Sequence, residues 1–440
     1  MITKQHKDIA QSAMTFALKN GCQATRISII TANNNSFEYR DLQLDKLQQS
    51  TENKLYIELF VDGKYGSFST NRINDKHEIE SFIKDGILST RYLAPDLCRQ
   101  LPNADRYYKS NGEDLDLCDN SFDSIKTSNK LEITKQVVEE IYDKDERIIS
   151  ISASYDDGIG AEYMVTSNGF EAESYDSAFS LVASVSLKTE GDARAESYWY
   201  DNSIYWNDLI KEGIGKKAFD RALQKIGQRK IQSGQYQMLL DNTLSFRLLS
   251  PMIAAMYGSS LQQKNSFLLD KLGEEITSKK LTIRDTPHLK KAFGARRFDG
   301  EGVATSQRDI IKEGVLHTYF IDTYNSLKMG IDPTIGSPSI LNVAKGNRSF
   351  DEILLSIEKG IWVTGFNGGN SNPTTGDFSF GVEGFLIEKG KISTPVSEMN
   401  ITGNMLELWT SLEEAGNDPR TNTSWRIPSL LFSNVNFSGL

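Results

Sequence analysis

The sequence predicts an α+β fold. Three observations carry that reading: apolar residues recur at helical spacing in several separate segments, alternating runs flank Asp62-Gly63, and long alternating runs follow one another from about 147 to 200. The chain divides into a mixed half, taken as an N-terminal α+β domain over 1–205, and a more β-rich half over 206–440.

"KDIAQSAMTFALKNG" places Ile9, Ala13, Phe16 and Ala17 on one face and stops at Gly21, the pattern of a helix with a glycine stop. Strand-like "RISIITA" follows. In "LYIELFVDGKYGSFST" the Asp-Gly pair predicts a type I′ hairpin, because both central residues of that turn need positive φ. Residues 75–93 and 128–144 read as amphipathic helices, while 95–125 is polar and turn-rich, an excursion or a linker. The runs from 147 to 200 are broken at Asp157-Gly158 and Asn168-Gly169, which predicts a meander of antiparallel strands. A helix over roughly 207–227 precedes strand "YQMLLD".

In "RLLSPMIAAMYGSSL" (247–261), Leu249, Met252, Ile253, Met256 and Tyr257 form one helical stripe, so periodicity predicts a packing helix. Pro251 either opens it behind Ser250 as N-cap or kinks a longer helix begun near Thr243. Beyond it the chain reads as strand, turn and strand through "FDGEGVATSQRDIIKEGVLHTYFIDTYNSLKMG", then as the glycine-rich "GFNGGNSNPTTGDFSFGVEGFLIEKGKI".

With 440 residues, 38% hydrophobic and 25% charged, the composition is that of an ordinary soluble globular protein able to bury a sizeable core. The net charge is −10, with basic residues interspersed among acidic ones, so no stripe exists to track a phosphate backbone and direct nucleic-acid binding is not expected. Cys22, Cys98 and Cys118 are an odd number at wide spacing, which fits a reducing compartment. The polar N-terminus resembles no signal peptide, and no run approaches the ~18 apolar residues that span a bilayer. A cytoplasmic location, with no membrane partner, is the simplest expectation.

Chemistry-bearing motifs are scarce. The four histidines, His6, His77, His288 and His317, never share a spacing that presents a metal from one element. "DGEG" (Asp299, Gly300, Glu301, Gly302) could hold a hard cation or act as acid and base, although such loops are more often tight turns. "GFNGGNSNPTTGD" (365–377), with Gly368, Gly369, Asn370 and Asn372, lacks the Lys-Ser/Thr pair of a phosphate loop but could offer backbone groups to a peptide. No nucleophile elbow appears.

The phrases "NSFLLDKLGEEI", "FDGEGVAT" with "DIIKEGVLHTYFIDTYNSLKMG", and "GGNSNPTTGDFSFGVEGFLIEKGKI", in this order and spacing, resemble the TldD/PmbA family, also called the modulator-of-DNA-gyrase family. The resemblance implies a helix-on-sheet N-terminal domain and a C-terminal domain dominated by a large curved antiparallel sheet. It also implies a pair of related subunits. The TldD type is similar to a zinc metalloprotease with an H-E-x-x-x-H helix and a C-terminal cysteine ligand; the PmbA, or TldE, type lacks them. Set against that motif, the ligand positions fall on Ser250 and Ala255 and the catalytic Glu on Pro251, none of which can serve, and "RTNTSWRIPSLLF" holds no cysteine.

The resemblance therefore implies a PmbA/TldE-like subunit of a protease acting on peptides or unfolded polypeptides. It would hold no metal or cofactor of its own; zinc is expected in a TldD-like partner, and the isolated chain could form a homodimer. The DGEG and glycine-rich loops are the candidates to bind peptide or line the chamber. Two alternatives stand beside this reading: a metallo-hydrolase using His288, His317 and the Asp299/Glu301 loop, or a stand-alone binding protein that regulates a partner.

Overall fold

A computed structural model describes residues 1–110, 112–190 and 194–440. Residue 111 of the predicted excursion and residues 191–193 of the predicted meander lie outside them.

The chain opens with α1 (Lys4–Lys19), started by a capping box in which the Thr3 hydroxyl accepts the His6 N–H and the His6 ring accepts the Thr3 N–H. Its buried face is Ala10, Ala13 and Ala17, small residues that let the helix lie close to the sheet. Three strands follow: β1 (Ala24–Arg40), β2 (Gln43–Val61) and β3 (Lys64–Thr70). Asp62 and Gly63 both adopt positive φ, 53° and 70°, as the hairpin reading requires. Helices α2 (Lys76–Arg91) and α3 (Thr127–Glu139) precede a second group of strands, β4 (Ile148–Thr166), β5 (Glu171–Lys188) and β6 (Arg194–Ser203), and then α4 (Ile214–Gln224). The six strands form one antiparallel sheet in the order β3-β2-β1-β4-β5-β6.

The sheet's two faces differ because its strands alternate. Odd-numbered positions such as Ile27, Ile29, Ala153, Tyr155, Leu181 and Ala183 are buried under α1 to α4. Even-numbered positions on β4 and β5 are mostly small and polar, among them Ser150, Ser152, Ser154, Gly160, Ser174 and Ser180. They stay partly open to solvent.

One expected break is absent. Asp157-Gly158 lies within β4, and only Asn168-Gly169 turns the chain, into β5. The Asp157 side chain points to the helix side, where Lys130 Nζ approaches to 2.5 Å and Asn35 donates at 2.6 Å, so the carboxylate is satisfied in an extended backbone. Gly158 serves close approach: a Cβ there would sit 2.6 Å from the Asn34 side-chain oxygen. Nor is 95–125 a free linker. Tyr107, Leu115 and Phe122 are buried, and Tyr107 bridges to Val303.

The remaining strands make two further sheets. The elements are β7 (Gly234–Leu240), α5 (Ser245–Ala255), α6 (Gly258–Gln262), β8 (Ile283–Asp285), β9 (Arg308–Lys312), β10 (Val315–Leu316) and α7 (Thr323–Met329). After them come β11 (Leu341–Val343), α8 (Phe350–Ser356), β12 (Lys359–Phe366), β13 (Asn370–Ser371), β14 (Asp377–Glu388) and β15 (Lys391–Asn404). The last are α9 (Met405–Thr410), β16 (Leu412–Ala415), β17 (Trp425–Arg426) and β18 (Leu430–Ser438).

One sheet runs β12-β7-β18-β15-β14-β13, and an added β12–β14 pairing closes five of its strands into a ring; all its pairs but β7–β12 are antiparallel. The other runs β10-β9-β8-β11-β17. Thus the large curved sheet implied by the family resemblance is present and curls until it meets itself. The stretch read as strand, turn and strand contains α7, a seven-residue helix capped by Asp322, whose carboxylate accepts the Asn325 N–H, and closed by Gly330 in the left-handed region.

α5 is the packing helix that periodicity predicts. Leu248, Leu249, Met252, Ile253 and Met256 are all buried in the main core beside Met238, Ile361 and Trp409. It starts at Ser245, so Pro251 lies inside the helix and Ser250 is not its cap. Pro251 has no N–H to offer the Arg247 carbonyl, a local loss that the buried stripe outweighs.

Candidate functional site

The polar face of the six-stranded sheet forms one wall of two clefts. The larger, of about 860 Å³, has Glu162, Ser174 and Asp176 on that wall; Arg296, Phe298, Asp299, Ser339 and Trp425 stand opposite, and Tyr257 joins them from just beyond α5. The smaller, of about 670 Å³, has Ser150, Ser152, Ser184 and Ser186 on the same face. Opposite them lie Arg247 of α5, Thr364 of β12 and Glu383 of β14. The start of α5 therefore looks into one cleft, and Tyr257, two residues past its end, lines the other. From Ser150 to Glu162 the face extends roughly 40 Å at ~3.3 Å per residue, enough for an extended segment of about a dozen residues.

Electrostatics differ between the clefts. In the larger, burial pushes the Glu162 carboxyl above its usual range, opposed by the Ser28 hydroxyl and Arg26. Asp176 meets water at the cleft surface while protein crowds its other sides, and that burial pushes its carboxyl up as well. Arg296 spends its guanidinium on Ser339 Oγ at 2.9 Å and the Ser337 carbonyl at 2.7 Å. In the smaller cleft Arg194, Arg221, Lys225 and Arg247 outnumber Glu196 and Glu383 among the described residues lining it.

The DGEG loop is a braced turn. Asp299 Oδ1 accepts the N–H groups of Glu301 at 2.9 Å and Val303 at 3.0 Å. Glu301 Oε2 accepts from the Thr323 N–H and hydroxyl at 3.0 and 2.9 Å, tying the loop to the first residue of α7. Burial raises the Glu301 pKa despite those bonds. Gly302, with φ 84°, leaves the room that the Phe170 ring occupies. Only Asp299 and Gly300 of the four line the larger cleft.

Gly368, Gly369, Asn370 and Asn372 belong to a different place. They form a hairpin at the edge of the ring, where Arg247 donates to the Gly369 carbonyl at 3.4 Å and the Asn372 side chain accepts the Thr374 N–H at 2.9 Å. The fold does not bring the two candidate loops to one cleft.

Ser250 and Pro251 are partly exposed and Ala255 is buried, its carbonyl accepting from Ser266 Oγ at 2.6 Å. His288 bonds Thr305 Oγ1 at 3.0 Å and His317 is exposed. Among the described residues no three His, Cys, Asp or Glu side chains group as metal ligands. Nor, among the described residues, is any helix long and apolar enough to cross a membrane.

Reading by motif missed Glu162, Asp176, Arg247 and Thr364. The available signal was the alternation in "SISASYDDGIGAEYM", whose even positions carry small and polar residues that two long paired strands must present together.

Residues 233–439 match the PmbA/TldA metallopeptidase C-terminal domain, and residues 120–226 match the central domain of the same family. The chain belongs to the PmbA/TldD family. Among PmbA/TldD relatives, the "Metalloprotease PmbA homolog" of Buchnera aphidicola subsp. Acyrthosiphon pisum is 28% identical over 92% of this chain and 90% of its own. The crystal structure of a "putative modulator of DNA gyrase" from Bacteroides thetaiotaomicron is similar at 56% identity and a TM-score of 0.98, covering 100% of both chains. TldE from Thermococcus kodakarensis, at 18% identity, shares the fold with a TM-score of 0.85 over 98% of this chain and 100% of its own.

Proposed function

We propose that this chain is the non-catalytic, PmbA/TldE-like subunit of a PmbA/TldD-type zinc metallopeptidase pair, and that its two clefts form part of a chamber for peptides or unfolded polypeptides. One observation carries the reading. α5, which stands where the resemblance sets the zinc helix, lies between the two clefts yet carries Ser250, Pro251 and Ala255 at the ligand and base positions. Alanine offers no donor atom, proline cannot act as general base, and a serine hydroxyl is a poor zinc ligand beside imidazole.

The clefts support a chamber role because their shared wall is long, pleated and lined with small polar groups, a surface on which an extended chain can lie without competing apolar pockets. In this reading Asp299 and Gly300 line the chamber, the Gly369 hairpin positions Arg247, zinc is held by the partner, and the acidic chain makes no DNA contact.

Reconstitution tests the proposal. The chain, a TldD-like subunit, and their mixture are each given an unfolded polypeptide with and without chelator. Cleavage in the chelator-free mixture, well above that of either subunit alone, is expected. Equal cleavage by the TldD-like subunit with and without this chain would remove the accessory role.

A further inference from the structure

We infer that the smaller cleft is a carboxylate subsite that receives one negatively charged end of an extended peptide lying along the serine-lined face. The inference rests on the chamber reading above and adds a direction to it.

Three observations meet in this cleft. Its lining carries Arg194, Arg221, Lys225 and Arg247 against two carboxylates, and two of these cations are already paired: Lys225 Nζ lies 2.5 Å from Glu383, and Arg221 Nη1 lies 3.6 Å from Asp241 behind the lining. Among the described residues the Arg247 guanidinium makes one long hydrogen bond, 3.4 Å to the Gly369 carbonyl, and lies 5.4 Å over the Phe380 ring, which leaves further donors on a positioned group. Thr364, only 7% exposed, lines the same cleft, and its buried hydroxyl has no hydrogen-bond partner among the described residues. A buried hydroxyl lacking a partner is costly, and a ligand that accepts its proton removes that cost. Gln228 adds a second unpartnered side-chain amide oxygen, and its amide can turn either end inward.

Cations, a free hydroxyl donor and a rotatable amide together suit a planar anion with two acceptor oxygens, which is a carboxylate. The other cleft, whose lining carries Asp114, Asp116, Glu162, Asp176 and Asp299 against Arg296 and Arg297, disfavours the same group. A peptide on the face is thereby oriented with its carboxylate at the Arg247 end.

The test uses the full chain and a ten-residue Ser/Gly/Leu peptide with a neutral N-terminal fluorophore, in three forms: free C-terminal carboxylate, C-terminal amide, and amide with one internal Asp. Fluorescence anisotropy should give the free carboxylate at least about tenfold tighter binding than the plain amide. Arg247→Gln should reduce that preference below about threefold, the free carboxylate losing far more affinity than the amide. Thr364→Val, nearly isosteric and so safe for the fold, should weaken the preference in the same direction. Recovery of tight binding by the Asp form would support the subsite and assign it to acidic side chains as well as chain ends. Equal binding of all three forms would overturn the subsite while leaving the chamber intact. Failure of every form to bind also overturns it, and the chamber is then judged separately by reconstituted cleavage.

Discussion

Lys225, at the end of α4, places its ammonium 2.5 Å from the Glu383 carboxylate of β14 and 2.7 Å from the Glu196 carbonyl of β6. This contact ties the six-stranded sheet to the ring, and Gly365 makes it possible, since a Cβ at that position would strike the Glu383 side chain at 2.2 Å. Removing one partner strands a largely buried charge, which costs about 3 kcal/mol. Lys225→Met and Glu383→Gln are each expected to lower stability by about that amount in urea unfolding. The double substitution should cost clearly less than the sum of the two.

The chamber wall should be less stable than it could be. A carboxyl whose folded pKa lies above its unfolded value contributes stability that is fully present below the unfolded pKa and is lost as pH rises through the folded one. Burial raises Asp176 in this way, so at neutral pH its charge opposes folding. Asp176→Asn is expected to raise the thermal midpoint at pH 7 by about 1–3 °C, a modest gain because the group also meets water, and the gain should shrink towards pH 4. Differential scanning at the two pH values checks it.

α5 should tolerate change where a zinc helix would not. Leu249 is fully buried, and Leu249→Ala should cost about 2–5 kcal/mol through the lost contacts and the cavity left behind. Ser250→Ala removes a half-exposed hydroxyl and should change stability by less than ~0.5 kcal/mol, with no effect on cleavage by the reconstituted pair. A loss of activity in Ser250→Ala with stability unchanged would give that residue a chemical role.

How much of this was legible follows the range of the interactions. The helix faces of α1 and α2, the Asp62-Gly63 turn and the buried stripe of α5 depend on neighbours a few residues away, so periodicity and turn chemistry reveal them. Asp157-Gly158 misleads because the partner that keeps Asp157 extended, Lys130, lies on α3 and is unseen locally. α7 is too short for its period to register, although its Asp322 cap and Gly330 stop are both visible afterwards. The clefts were least legible of all: Ser152 and Thr364, or Glu162 and Trp425, share a cavity only after the sheet and the ring have packed together.

The claim that this chain lends a chamber rather than a metal centre is tested most directly by elemental analysis of the purified, untagged protein after zinc loading and desalting. The account expects far less than one zinc per chain, unchanged by His288→Ala or His317→Ala. Close to one zinc per chain, lost in either histidine variant, would contradict it and make the chain a metalloenzyme in its own right.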